Sequence, residues 1–213
     1  MDKFVNRANA APVLGEFLGT GVLVMVALVL SETTAVPYFI GTSVAATLAL
    51  VYVFFGNLTG GHFNPAITLG IWTARKISTI WGVSYIIAQL LGGIAAWQLF
   101  QYFTHHTLPV KHTPYSTPAL LAEAVGAMVL AMGLTAAYTK TLDTLTSALT
   151  YGASFFVGIL IAATASAAYL NPATALALRN FNVVYVLGPI IGAIVGVNLY
   201  MWLFAPAKAS RKK

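Results

Sequence analysis

Asn64 and Asn171 head the same three residues, Asn-Pro-Ala, each after a run of small side chains. Asn is a strong N-cap because its side-chain oxygen takes an orphan backbone N–H. Pro fits the first helical position, where a missing N–H costs nothing. Asn64-Pro65-Ala66 and Asn171-Pro172-Ala173 should therefore each start a short helix. Such an N-terminus carries partial positive charge, and each Asn amide has N–H groups to donate outward. One box alone is only a helix start. Here Glu16 precedes Asn64 by 48 residues, and Glu123 precedes Asn171 by 48. Each glutamate opens Glu-x-x-Gly, ending at Gly19 and Gly126. A shared offset of 107 residues, about half the chain, makes this an internal repeat.

The elements that must hold the boxes are membrane spans. The 213 residues are 59 % hydrophobic and 8 % charged, with a mean hydropathy of +0.82. That is too apolar for a soluble domain and right for a polytopic membrane protein. There is no cysteine, which excludes disulfides and thiolate metal sites. Basic residues are sparse except in the tail, so nothing points to nucleic acid. Spans are expected at about 10–30, 39–58, 80–103, 118–138, 149–168 and 183–204, each near the 20 residues a bilayer requires. Glu16 interrupts the first apolar run and more spans follow, which argues against a cleaved leader. The box helices, ending near Thr73 and Leu178, are too short to cross. Irregular backbone at membrane depth must be buried or line a wet cavity. The fold class is all-α: six spans and two half-helices in one domain over 1–213, with repeats at about 10–103 and 118–204.

Three spans per repeat is odd, so the repeats are inverted and the half-helices enter from opposite faces, meeting near the midplane. Lys3, Arg7, Arg75, Lys76, Lys140, Lys208, Arg211, Lys212 and Lys213 collect on the side of the termini, against Lys111 and Arg179. The termini should be cytoplasmic. Gly15/Gly19 and Gly192/Gly196 fit a small-xxx-small packing pattern.

These motifs resemble the major intrinsic protein family, the aquaporins and aquaglyceroporins. Gly60-x-His62-Phe63-Asn64-Pro65-Ala66, the second box, Glu16-Phe17-Leu18-Gly19, Ala88-Gln89 and Gly188-Pro189 are all family-like. The resemblance implies a pore through each monomer, a homotetramer in the bilayer, and passage of water or small neutral solutes with exclusion of protons. It implies no cofactor, metal or catalytic residue. Carbonyls of Gly60, Gly61 and His62, and of Ala167, Ala168 and Tyr169, would form two acceptor ladders. Asn64 and Asn171 would donate to a molecule at the midplane, turning a water so that it relays no proton, while the positive helix ends repel cations.

Glu16 and Glu123 are ionisable groups at membrane depth, which by default suggests function. An ion-coupled secondary transporter would use them for coupling. Their equal spacing to the boxes favours instead a scaffold role, accepting N–H groups of the box loops. Gln89 reads as a buried scaffold residue. His62 either braces its loop or faces the pore. His105, His106 and His112 lie in a polar loop, either solvated or a pH gate.

The sequence also departs from the family. Arginine usually follows the second Asn-Pro-Ala; here it is Thr174. Counting from the boxes, the remaining constriction positions are Val44, commonly aromatic, Ile159, often histidine, and Ala168. The filter then reads Val44, Ile159, Ala168, Thr174, without charge or aromatic ring. Arg179 is no substitute, lying about 140° round a helix and about 7.5 Å along it. Tyr169 stands where the family has a small residue. Glycerol conductors carry Asp where Ala175 stands. The Ile-Ala pair resembles plant tonoplast aquaporins. The reading is a passive channel for water and small neutral solutes such as ammonia, urea or hydrogen peroxide.

Overall fold

The computed structural model describes residues 7–205, all of whose regular structure is helical. Lys3 and the basic residues from Lys208 onward lie outside that range, as does the side chain of Arg7. The order is α1 (Arg7–Thr33), α2 (Pro37–Thr59), α3 (Pro65–Thr73), α4 (Thr79–Thr104), α5 (Thr117–Thr139), α6 (Thr144–Ala162), α7 (Pro172–Ala177) and α8 (Val183–Phe204). Among the described residues, six helices are long and apolar enough to cross a bilayer. The chain is an integral, multi-pass membrane protein with two half-helices, α3 and α7, in inverted three-span halves.

Local chemistry starts these helices. Ser78, Ser116, Asp143 and Asn182 cap α4, α5, α6 and α8 through side-chain oxygens. Their outer faces stay apolar: Leu14, Leu18, Val22 and Val29 along α1 are all about half exposed, as a lipid-facing stripe requires. The span expected at 149–168 is instead Thr144–Ala162. Asp143 starts it early by accepting the Leu145 and Thr146 N–H groups, at 3.0 and 3.1 Å. At the other end, the Ala165 and Ser166 N–H groups turn back onto the Ala162 carbonyl. The run Ala162–Ala168 carries no Gly or Pro to announce that stop.

Each half completes the other's core. α2 packs on α6, α3 on α8, and α4 on α7. Close approach rests on missing side chains, as membrane helices favour. A Cβ on Gly196 would lie 2.5 Å from the Met128 carbonyl oxygen, and one on Gly192 would overlap Ala124. A Cβ on Gly15 would lie 2.6 Å from Thr59, and one on Gly19 would overlap the Phe63 ring.

Candidate functional site: two box loops and the walls around them

The half-helices meet N-terminus to N-terminus. The Asn64 side-chain oxygen accepts the Ala66 N–H at 2.9 Å, and that of Asn171 accepts the Ala173 N–H at 2.9 Å. The amide of Asn64 donates to the Leu170 carbonyl at 2.8 Å, and that of Asn171 donates to the Phe63 carbonyl at 3.0 Å. Each NH2 thus spends one N–H on the opposite loop and keeps a second. The residue before each Asn is left-handed, Phe63 at φ 49° and Leu170 at φ 52°. That turn reverses the chain from the descending loop into the half-helix.

Each loop hangs from a fully buried glutamate. Glu16 accepts the N–H groups of His62 at 3.0 Å and Phe63 at 2.6 Å. Glu123 accepts those of Tyr169 at 3.0 Å and Leu170 at 2.7 Å. These donors would otherwise be orphans at membrane depth. The third partner differs. Glu16 also accepts from Gln89 at 2.7 Å, and Gln89 bonds Thr68, whose hydroxyl pairs with the Nδ1 of His62 at 3.1 Å. Glu123 instead takes the Ser166 hydroxyl at 2.8 Å. His62 is therefore braced through Nδ1, while its ring borders a cavity on the side of the chain ends and meets Tyr85 edge-on at 5.4 Å.

On the far side from the chain ends, Val44, Ile159, Ala168 and Thr174 come together around a cavity of about 70 Å³. Tyr169 also borders it, its ring 4.5 Å from that of Tyr185 and its hydroxyl accepting from Asn180 at 3.4 Å. Arg179 is elsewhere: its guanidinium lies 4.8 Å from the Trp97 ring, in a surface groove with Lys111 and His112. Of the other loop histidines, His106 approaches Glu32 at 3.9 Å. Among the described residues no group of histidine and acidic side chains could hold a metal.

On the side of the chain ends, a vestibule of about 860 Å³ reaches Gly60, His62 and Tyr138. Here two of the three loop carbonyls, those of Gly60 and His62, are already engaged. The Tyr138 hydroxyl donates to the Gly60 carbonyl, and the Tyr151 hydroxyl donates to the His62 carbonyl at 3.1 Å. Among the described residues no donor reaches the carbonyls of Ala167, Ala168 or Tyr169. Counting from the boxes along one wall does not reach Tyr138 or Tyr151. The available signal was the 107-residue offset itself, which carries Val44 onto Tyr151.

The comparisons agree with this architecture. The family described as Major intrinsic protein matches residues 3–200. Aquaporin-5 of Ovis aries is 31 % identical over 219 residues, covering 93 % of this chain and 82 % of its own. Aquaporin Z of Photorhabdus laumondii is 27 % identical over 193 residues, covering 78 % and 84 %. The solved aquaglyceroporin from Plasmodium falciparum shares the fold, with a TM-score of 0.77 at 19 % identity over 92 % of this chain and 97 % of that one. With a match across nearly its whole length, the chain belongs to the major intrinsic protein family and is a membrane channel, not an enzyme.

Proposed function

We propose that the protein is a passive channel for water and small neutral solutes, ammonia and hydrogen peroxide among them, and that it excludes protons. The observation that carries this reading is the pair of cross-box bonds. They fix two amides and two positive helix ends at one point, each amide with an N–H to spare. A molecule there accepts from both amides, and a cation meets two positive ends. On the side away from the chain ends the carbonyls of Ala167, Ala168 and Tyr169 offer acceptors, and on the other side the Tyr138 and Tyr151 hydroxyls hold the Gly60 and His62 carbonyls and present their own oxygens. Val44, Ile159, Ala168 and Thr174 form the outer ring. The chain acts as a single channel domain, since each half completes the other's core.

Glu16 and Glu123 support this reading over an ion-coupled transporter. Each already accepts three hydrogen bonds that hold a box loop, so protonation or ion binding would release the loop. The described basic residues Arg75, Lys76 and Lys140 lie on the side of the chain ends, which favours cytoplasmic termini. The glycine-rich spans and the family point to a homotetramer with four separate pores. Stopped-flow light scattering on proteoliposomes tests the function. The expected result is water flux above that of bare lipid, near-linear in gradient and indifferent to proton or sodium gradients. Saturating, gradient-driven flux would overturn it.

A further inference from the structure

The offset that relates the boxes also relates the walls. It carries the outer ring of Val44, Ile159 and Ala168 onto Tyr151, Tyr52 and Gly61. The outer ring is aliphatic, whereas its counterpart on the side of the chain ends is aromatic. The structure assembles that counterpart. The rings of Tyr52 and Tyr151 meet edge to face, with centroids 6.0 Å apart at 73°. Tyr52 occupies the space of two absent side chains: a Cβ on Gly61 would overlap its ring, and one on Gly56 would lie 2.8 Å from it. Tyr138 fits the same way, its hydroxyl 2.7 Å from where a Cβ of Gly60 would be. Backbone and rings are thus matched to one another.

The hydroxyls stand where pore water would stand. A molecule lining up on a carbonyl ladder donates to a carbonyl oxygen at about 3 Å. Tyr151 already does so at the His62 carbonyl, and Tyr138 at that of Gly60. They reach these atoms from α6 and α5, while the carbonyls belong to the loop before α3. The vestibule ends at Gly60, His62 and Tyr138, and neither it nor the outer cavity includes Tyr52 or Tyr151.

We propose that the selective constriction of this channel is the aromatic ring of Tyr52 and Tyr151, fronted by Tyr138, and that the outer aliphatic ring is the permissive one. The proposal rests on the channel reading above. The Tyr138 and Tyr151 hydroxyls each donate to a carbonyl and still accept, so water passes by exchanging bonds with them. Ammonia and hydrogen peroxide are about as narrow as water and pass by the same exchange. Urea and glycerol are wider and must displace a ring that is seated on glycine backbone, so they are held back.

The test replaces each ring residue by its outer counterpart. Tyr151→Val and Tyr52→Ile are reconstituted singly beside the parent, with protein content matched and water, urea and glycerol permeabilities measured. Each should raise urea and glycerol permeability relative to water by about tenfold, the effect of removing one packed contact from a barrier. Ile159→Ala, which enlarges the outer ring, should change the ratio by less than about threefold. If Tyr151→Val does not fold, Tyr52→Ile alone decides. A folded ring variant with the parent's ratio overturns the proposal, as does a larger effect of Ile159→Ala. In both cases water flux in the parent keeps the channel reading intact. A parent and variants no more permeable than bare lipid overturn both.

Discussion

The loops before α3 and α7 are built on one plan and finished differently. Capping, glutamate support and cross-box bonding agree to within about 0.2 Å. The surroundings do not agree. The first loop is more tightly held: residues 61–64 are buried, Glu16 is shared with Gln89, and two tyrosines from the other half hold the Gly60 and His62 carbonyls. The second loop is more open, with Ala167 exposed and a local serine as third partner of Glu123. The repeat therefore fixes what places the amides, and selectivity can diverge wherever the opposite half supplies the wall.

The largest expected difference lies in the two glutamates. Glu16→Ala strands the His62 and Phe63 N–H groups and the Gln89 amide in a dry site. One unsatisfied buried donor costs about 1–3 kcal/mol, so three cost about 3–9 kcal/mol, a large share of the about 5–15 kcal/mol that holds a typical fold together. Glu123→Ala strands two backbone donors beside an exposed loop that water can reach. The thermal midpoint of the detergent-solubilised protein should fall further for Glu16→Ala, with little monodisperse protein recovered. Equal losses would mean that the enclosure of the first loop is energetically irrelevant.

The second test removes what the loops share. Replacing both Asn64 and Asn171 with Asp keeps the side-chain caps but puts carboxylates at the two positive helix ends. Vesicles should then leak cations measurably, read with a potential-sensitive or pH-sensitive dye, while still conducting water. A double variant that conducts water and leaks no cations would show that the helix ends do not set cation exclusion here.

How far the sequence could be read follows the same division. The boxes, their caps and the spacing to Glu16 and Glu123 are features of short stretches repeated at a fixed offset, so pattern alone reaches them. The early start of α6 was missed because Asp143 lies in a polar stretch read as loop. The tyrosine contacts were missed for another reason. Tyr138 and Tyr151 meet their carbonyls across 78 and 89 residues, and a Tyr in a membrane helix reads equally well as an interface anchor. Only the wall-to-wall mapping of the repeat distinguishes them, and it has to be applied to the aliphatic ring as well as to the boxes.

A third test probes the outer ring. Threonine offers one hydroxyl and a methyl group; arginine brings a charge, five donors and more volume. Thr174→Arg should narrow the cavity between Val44, Ile159 and Ala168, which holds only about 70 Å³. Ammonia or hydrogen peroxide permeability should be measurable in the parent and should fall several-fold in the variant, more than water permeability does, because charge and donors favour water. Equal proportional losses would mean that Thr174 acts through width alone. A parent impermeable to ammonia, urea and hydrogen peroxide alike would remove the permissive character of the outer ring.

The smallest expected effect is that of Ala168→Gly, at the residue equivalent to Gly61 of the first loop. Both are left-handed, at φ 71° and φ 54°. Alanine in that region carries a strain of about 1–2 kcal/mol, so Ala168→Gly relieves it. Glycine also gains freedom in the unfolded chain, which offsets about 0.4–1 kcal/mol. The thermal midpoint should rise slightly or stay put, and loss of one methyl from the outer cavity should raise solute permeability modestly. The reverse exchange is not symmetrical. Gly61→Ala adds the same left-handed strain and drives a Cβ into the Tyr52 ring. It should lower the thermal midpoint and, where folded protein is recovered, change solute permeability by displacing that ring. The two loops differ in substance only if these exchanges act in opposite directions on stability. If Gly61→Ala is as neutral as Ala168→Gly, the Tyr52 ring is not seated against the loop backbone and the aromatic wall is free to move.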